Sequence, residues 1–317
     1  MITLPMIYVL AGLLFAAVAI QGALDRANPR RWLGAGFWGL YAASFLAGSY
    51  LPDFANGVLV IGMVGLAAAG LGRGAPVTAT AEQRAEGAAR FGNALFVPAL
   101  LIPGITLLGT LLLKSVVIGG QPLIDPNQAT LVSLGLGAVA ALAAAIVMLR
   151  PPPLAPVREA RRLVETIGWA AVLPQMLAAL GAVFAVAGVG TVIAGLLNDY
   201  VPLDTPLLAV TAYAVGMALF TAIMGNAYAA FPVMTAAVGL PLVVQKFGGD
   251  PAVVCALGML SGFCGTLVTP MAANFNVVPA ALLELPDRNG VIRVQAPTAF
   301  VLLLGNIVLM YVLAFPR

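Results

Sequence analysis

The polar residues that could do chemistry gather in two stretches, MGNAYAAFPVMTAAVGLP from Met224 and SGFCGTLVTPMAANFNVVPAALLEL from Ser261. Each interrupts an apolar run with groups that a lipid-buried helix avoids: Gly-Asn at 225–226, Thr-Pro at 269–270 and Asn-Phe-Asn at 274–276. An unbroken helix satisfies its own main chain, so such breaks free N–H and C=O groups where water is absent. In secondary transporters, half-helix N-termini use the freed N–H groups to face an anion, and unwound carbonyls hold a coupling cation. The expected site therefore has Gly225 and Asn226 at one break or hairpin tip and Thr266, Thr269, Pro270, Asn274 and Asn276 around a second, with Thr235 and Ser261 as flanking hydroxyls. A bound sodium ion would draw on Asn226, Thr269 and Asn274. A weaker set, Gly92 and Asn93 followed by Pro98, Pro103, Gly104 and Thr106, reads equally as a helix kink. Packing competes as an explanation for each residue alone. Gly and Pro are frequent in membrane helices, Ser, Thr and Asn bridge neighbours, and Gly258 with Gly262 forms a GxxxG pair.

Other chemistries lack their residues. There is no His, which removes the usual metal ligand and the base of a Ser-His or Cys-His pair. Cys255 and Cys264 have no further cysteines to form a disulfide framework or zinc site and read as buried, inert thiols. No GxxxxGK[ST] loop is present, and no nucleophile-base pair or carboxylate dyad points to an enzyme. No cofactor is implied. Glu284 is the one carboxylate near an apolar run without loop flanks, and it reads as an interfacial residue beside Pro286 and Asp287. Proton relays through membranes use Asp, Glu or His. Sodium with neutral oxygen ligands is thus favoured as the coupling ion over a proton.

The elements that must hold these residues are membrane helices. The 317 residues are 62% hydrophobic and 9% charged, too few charges to cover a water-soluble surface. The basic residues fall in short loops and form no arm or stripe for nucleic acid. Apolar runs at about 2–20, 32–49, 57–72, 91–113, 129–149, 167–197, 206–224, 225–245, 251–285 and 297–315 predict nine or ten membrane segments, broken or re-entrant in the last third. The length of the 167–197 run and its Gly188–Gly190 GVG predict a tilted or interrupted helix. The fold class is an all-α polytopic transmembrane bundle, divided into a three-span unit (1–90), a two-span unit with a basic loop (91–166) and a transport-like unit (167–317). Arg26, Arg30 and Arg31 follow the first span, which places the N-terminus in the periplasm of a bacterial inner membrane. Arg73, Arg84, Arg90, Arg150, Arg158, Arg161 and Arg162 keep the later cytoplasmic loops basic, while Asp53, Asp125, Asp199 and Asp204 mark the other side. Two charged approaches also match, AEQRAEGAARFGNALFVP from Ala81 and PVREARRLVETIGWAAVLP from Pro156, aligning Gly92–Pro98 with Gly168–Pro174.

FGNALFVPALLIPGITLLG from Phe91, GNAYAAFPVMTAAVGLPLV from Gly225 and the stretch from Ser261 resemble the bacterial inner-membrane family called domain of unknown function 979 over nearly the whole chain. Members are commonly encoded beside a second, shorter membrane protein and near 5-oxoprolinase subunits. The resemblance thus implies a two-component permease for 5-oxoproline or a related small organic anion. TPMAANFN also looks like the polar helix breaks of the ion-transporter superfamily, which bind carboxylate and sodium between inverted halves. The expected partners are the bilayer, the small organic anion, and a second membrane subunit or further copies of this chain. A membrane scaffold that packs on a partner through Gly258 and Gly262 is the alternative reading.

Overall fold

The computed structural model describes residues 1–71, 79–200 and 204–315. Arg73 lies outside them. Among the described residues the chain is helical apart from a two-stranded hairpin, and seven helices are long and apolar enough to cross a membrane. It is a multi-pass membrane protein with two compact units, Met1–Gly168 and Trp169–Arg317.

The first unit contains α1 (Leu4–Leu24), α2 (Arg31–Ala47), α3 (Asp53–Ala68), α4 (Ala81–Phe91), α5 (Phe96–Leu111), β1 (Val117–Ile118), β2 (Gln121–Pro122), α6 (Ala129–Leu149) and α7 (Ala155–Ile167). Aromatic rings lock α1 to α2, with Phe15 packed on Trp38, Tyr41 and Phe45. Polar contacts fix which loops share an end of this unit. Ile2 exchanges main-chain hydrogen bonds with Leu123 (2.8 Å) and Asp125 (3.1 Å), so the N-terminus and the α5–α6 connection lie together. At the opposite end of α1, Arg30 donates to the carbonyls of Ala69 and Gly70, closing the C-terminus of α3. There too Arg161 of the amphipathic α7 is buried between Asp25 (2.6 Å) and Glu165 (2.7 Å). A residue read as a loop charge is therefore the centre of a buried ion triad.

The matched approaches share a backbone. Gly92 (φ 47, ψ −130) ends α4 and Gly168 (φ 58, ψ −133) ends α7, and each leads through a short 3-10 turn into the next helix. Only glycine adopts such angles without strain. Pro103 lies within the continuous α5, so the Pro98–Thr106 segment is not unwound.

The second unit contains α8 (Leu173–Val186), α9 (Val189–Tyr200), α10 (Pro206–Met224), α11 (Ala227–Met234), α12 (Pro251–Leu267), α13 (Val277–Leu282) and α14 (Gly290–Leu313). Gly188, at φ 68, separates α8 from α9 and so interrupts the long run. Beyond Met234, α11 widens into a π-helix over Thr235–Lys246. Its core is Tyr213, Met217, Val238 and Met310, around which α10, the π-helix, α12 and α14 pack. Contacts of Tyr213 with Thr235 and Gly239 and of Gly216 with Met234 run α10 antiparallel to the chain after Gly225. The two arms, Pro206–Met224 and Ala227–Lys246, are 19 and 20 residues long. At about 1.5 Å per residue α10 spans ~28 Å, enough to cross a hydrocarbon core of ~30 Å.

Candidate functional site

The hairpin tip and the second break come together. Gly225 ends α10 in a left-handed conformation (φ 75), and a β-carbon there would lie 2.5 Å from the carbonyl carbon and oxygen of Met271. Only a glycine lets the tip rest on the unwound chain that follows α12. Asn226 then caps α11, its Oδ1 accepting from the Tyr228 N–H at 2.9 Å. Small residues permit the approach of the helices behind the tip. Gly262 lies against Met217, Thr221 and Ala227, and Gly265 against the Ala218 carbonyl. Gly258 lies against the Tyr213 ring, so the GxxxG pair is used inside the chain.

The second break runs from Val268 to Asn276, and one side chain holds it open. Asn276 is fully buried and donates to the carbonyls of Thr266 (2.8 Å) and Thr269 (2.7 Å), while its Oδ1 accepts from Gln295 of α14. Thr269 Oγ1 accepts from the Met271 N–H at 3.2 Å. Carbonyls freed by the end of α12 are thus satisfied by an amide ten and seven residues further along, as main chain shielded from water requires. The donors fare differently. The N–H groups of Ala273 and Asn274 have no acceptor among the described residues, although Ala273 is buried. Those of Asn226 and Ala227, at the start of α11, also lack one. Thr221 completes the set: its carbonyl accepts from Gly225 N–H, but its fully buried hydroxyl has no partner.

The structure therefore brings Gly225, Asn226, Thr266, Thr269, Pro270, Asn274 and Asn276 into one region through the Gly225–Met271 contact. Pro270 and Asn274 are exposed there. Thr266 bonds back to the Phe263 carbonyl at 2.6 Å. The hydroxyls of Thr235 and Ser261 are committed to Tyr213 (2.8 Å) and to the Leu257 carbonyl (2.8 Å). Gly92 and Asn93 belong to the first unit, both exposed. The oxygens named for sodium are differently engaged: Asn226 caps a helix, Thr269 holds its own turn, and Asn274 has no hydrogen bond among the described residues. No cluster of acidic or thiol ligands for a metal occurs among the described residues. Sequence reasoning missed Thr221 and Gln295. A threonine or glutamine inside an apolar helix was the available signal, and nothing local shows that Thr221 packs on Gly262 of α12 or that Gln295 reaches Asn276, 19 residues away.

Donors and acceptors alike lack partners here among the described residues: the N–H groups above, and the carbonyls of Val268, Pro270 and Met271. Successive unpaired N–H groups attract negative charge, and unwound carbonyls suit a cation. No Lys or Arg lies in either break.

A family model described as "Protein of unknown function (DUF979)" matches residues 5–315. No curated protein matches the chain. Among solved structures, Neisseria gonorrhoeae MtrF, described as illuminating a class of antimetabolite efflux pumps, is similar at 15% identity and a TM-score of 0.35, covering 95% of this chain. The chain spans 61% of the length of that protein.

Proposed function

The chain belongs to the DUF979 family, and we propose that it is a subunit of a secondary, ion-coupled transporter for a small organic anion. The observation that carries this reading is the meeting of the Gly225 tip with the unwound Met271 segment, where N–H groups and the buried Thr221 hydroxyl lack protein acceptors. Leaving the buried ones, at Ala227, Ala273 and Thr221, unpaired costs about 1–3 kcal/mol each, a cost that a bound carboxylate would offset. The α11 N-terminus, the Ala273–Asn274 N–H groups and the Thr221 hydroxyl would grip the anion. Because no side-chain cation balances it, a co-transported sodium ion or proton would supply the opposite charge, with sodium favoured by the absence of His and of carboxylates in the breaks.

5-Oxoproline is the first anion to test, a second membrane subunit the first partner, and a bacterial inner membrane with periplasmic N-terminus the setting. Purified chain, alone and with a shorter membrane protein of the kind encoded beside family members, is reconstituted in proteoliposomes, and labelled 5-oxoproline uptake is followed under imposed sodium or proton gradients. Gradient-driven uptake that Gly225→Ala abolishes supports the proposal. Uptake no greater than in empty vesicles, for 5-oxoproline and for acetate, lactate and succinate alike, overturns it.

A further inference from the structure

A second cavity in the same unit has a different chemistry. It has a volume of about 320 Å³ and is lined by Gly188, Gly190, Thr191, Pro232, Val233, Ala236, Ala237 and Pro241. None of these residues belongs to the Gly225–Met271 region. The cavity forms because α8 and α9 part at Gly188 while their glycines press on α11: a β-carbon at Gly181 would meet Ala229, and one at Gly190 the Val233 carbonyl. The kink leaves a hollow between these close approaches, facing the start of the π-helix.

Two polar groups in its wall, on the exposed residues Ala236 and Thr191, are open to a ligand. In the i→i+5 register of Thr235–Lys246, the donor assigned to the Ala236 carbonyl is residue 241, which is proline and has no N–H. The Thr191 hydroxyl has no hydrogen bond among the described residues and does not bond back into its own helix. One is a pure acceptor, and the other can donate. The remaining wall, Pro232, Val233, Ala237 and Pro241, is apolar, and no charged residue lines it among the described residues.

We propose that this cavity binds a small uncharged molecule in which an N–H lies next to a carbonyl oxygen, as in a carboxamide. The N–H donates to the Ala236 carbonyl, the carbonyl oxygen accepts from Thr191, and a short apolar body rests on the two prolines. A bare cation would find no carboxylate and only one unpaired carbonyl in a space far larger than itself. An acyl tail would fill the hollow but leave the Ala236 carbonyl unbonded in an apolar setting, which is costly. A cavity of this size suits a small ligand and stands at the lower end of the usual range. The site is independent of the anion reading, and it gives the unit a second ligand class with the opposite demand, a donor supplied by the ligand.

The test uses the full chain carrying Cys255→Ala and Cys264→Ala, with Ala236→Cys as reporter, since that change keeps the main-chain carbonyl and places a thiol in the wall. The rate of maleimide labelling is measured with butyramide, N,N-dimethylbutyramide or methyl butyrate, three probes of similar bulk of which only the first has an N–H. Butyramide should slow labelling at least fivefold at saturation, and the other two should need at least tenfold higher concentration for the same effect. Pro241→Ala returns an N–H to the Ala236 carbonyl and should erase the preference for butyramide. Thr191→Val should weaken all the probes that offer a carbonyl. Equal protection by the three probes, no protection by any, or a preference that survives Pro241→Ala would each overturn the proposal. Anion uptake by the same preparations reports separately on the Gly225–Met271 site.

Discussion

Replacing Asn276 by Ala removes both hydrogen bonds that close the second break, at 2.8 Å to the Thr266 carbonyl and 2.7 Å to the Thr269 carbonyl. The side chain is fully buried, so neither carbonyl gains bulk water in exchange. An orphaned buried acceptor costs about 1–3 kcal/mol. Two of them, partly relieved by water entering the space left behind, should cost ~2–5 kcal/mol. At ~2–4 °C per kcal/mol for a domain of 150–250 residues, the melting temperature should fall by roughly 5–15 °C. Thermal unfolding in detergent is followed with a thiol-reactive fluorophore, because Cys264 is buried and becomes reactive as the second unit opens. Asn274→Ala is the control: its side chain is exposed and has no hydrogen bond among the described residues, so its melting temperature should stay within ~1 °C of the parent. Equal melting temperatures for Asn276→Ala and the parent would refute the clamp. So would an equal fall in both variants, since then the break tolerates no change of any kind.

Thr221→Val replaces an unpaired buried hydroxyl with a methyl of the same shape; it should raise stability by ~1 kcal/mol while weakening anion uptake, and a variant that loses stability would show the hydroxyl is already bonded. Gly225→Ala meets both a left-handed backbone and the Met271 carbonyl, so uptake should be lost with the chain still inserted in membranes, measured by vesicle flux and immunoblot. Arg161→Ala strands Asp25 and Glu165 and should destabilise the first unit by ~3–5 kcal/mol, read as a lower unfolding temperature. The Arg161 hydrogen bond holds the Asp25 carboxyl below its ordinary value of 3.8. The pair's contribution is therefore complete above 3.8 and is lost as pH falls through the depressed value. Acid unfolding of the parent should steepen in that window, and Arg161→Ala should lack the step.

The apolar runs made the spans legible, because a ~30 Å hydrocarbon core demands a fixed length of helix whatever the neighbours are. Gly225-Asn226 and the Thr269–Asn276 segment were legible as breaks for an equally local reason: glycine, proline and side-chain amides compete with the helix from within. The use of each group was not local. Asn276 looks like Asn274 in sequence, yet one is clamped inside the protein and the other is exposed. Thr235 and Ser261 have the hydroxyls of a site, but Tyr213 and the Leu257 carbonyl claim them. Arg161 reads as a topology charge until Asp25, 136 residues away, is placed beside it. The π register after Met234 also escapes periodicity, since Pro232 and Pro241 signal disruption without saying which spacing replaces the α-helix.

The Asn274 amide gives the most direct test. Ala–Asn pairs occur at 27–28, 55–56 and 273–274 only, so carbonyl-¹³C alanine with amide-¹⁵N asparagine leaves three signals in a filtered solid-state spectrum of the chain in lipid. A small carboxylate that the protein transports should shift the Asn274 amide, saturably, and leave those of Asn28 and Asn56 in place. An Asn274 amide that does not move at concentrations saturating transport would contradict the claim that its unpaired N–H receives the anion.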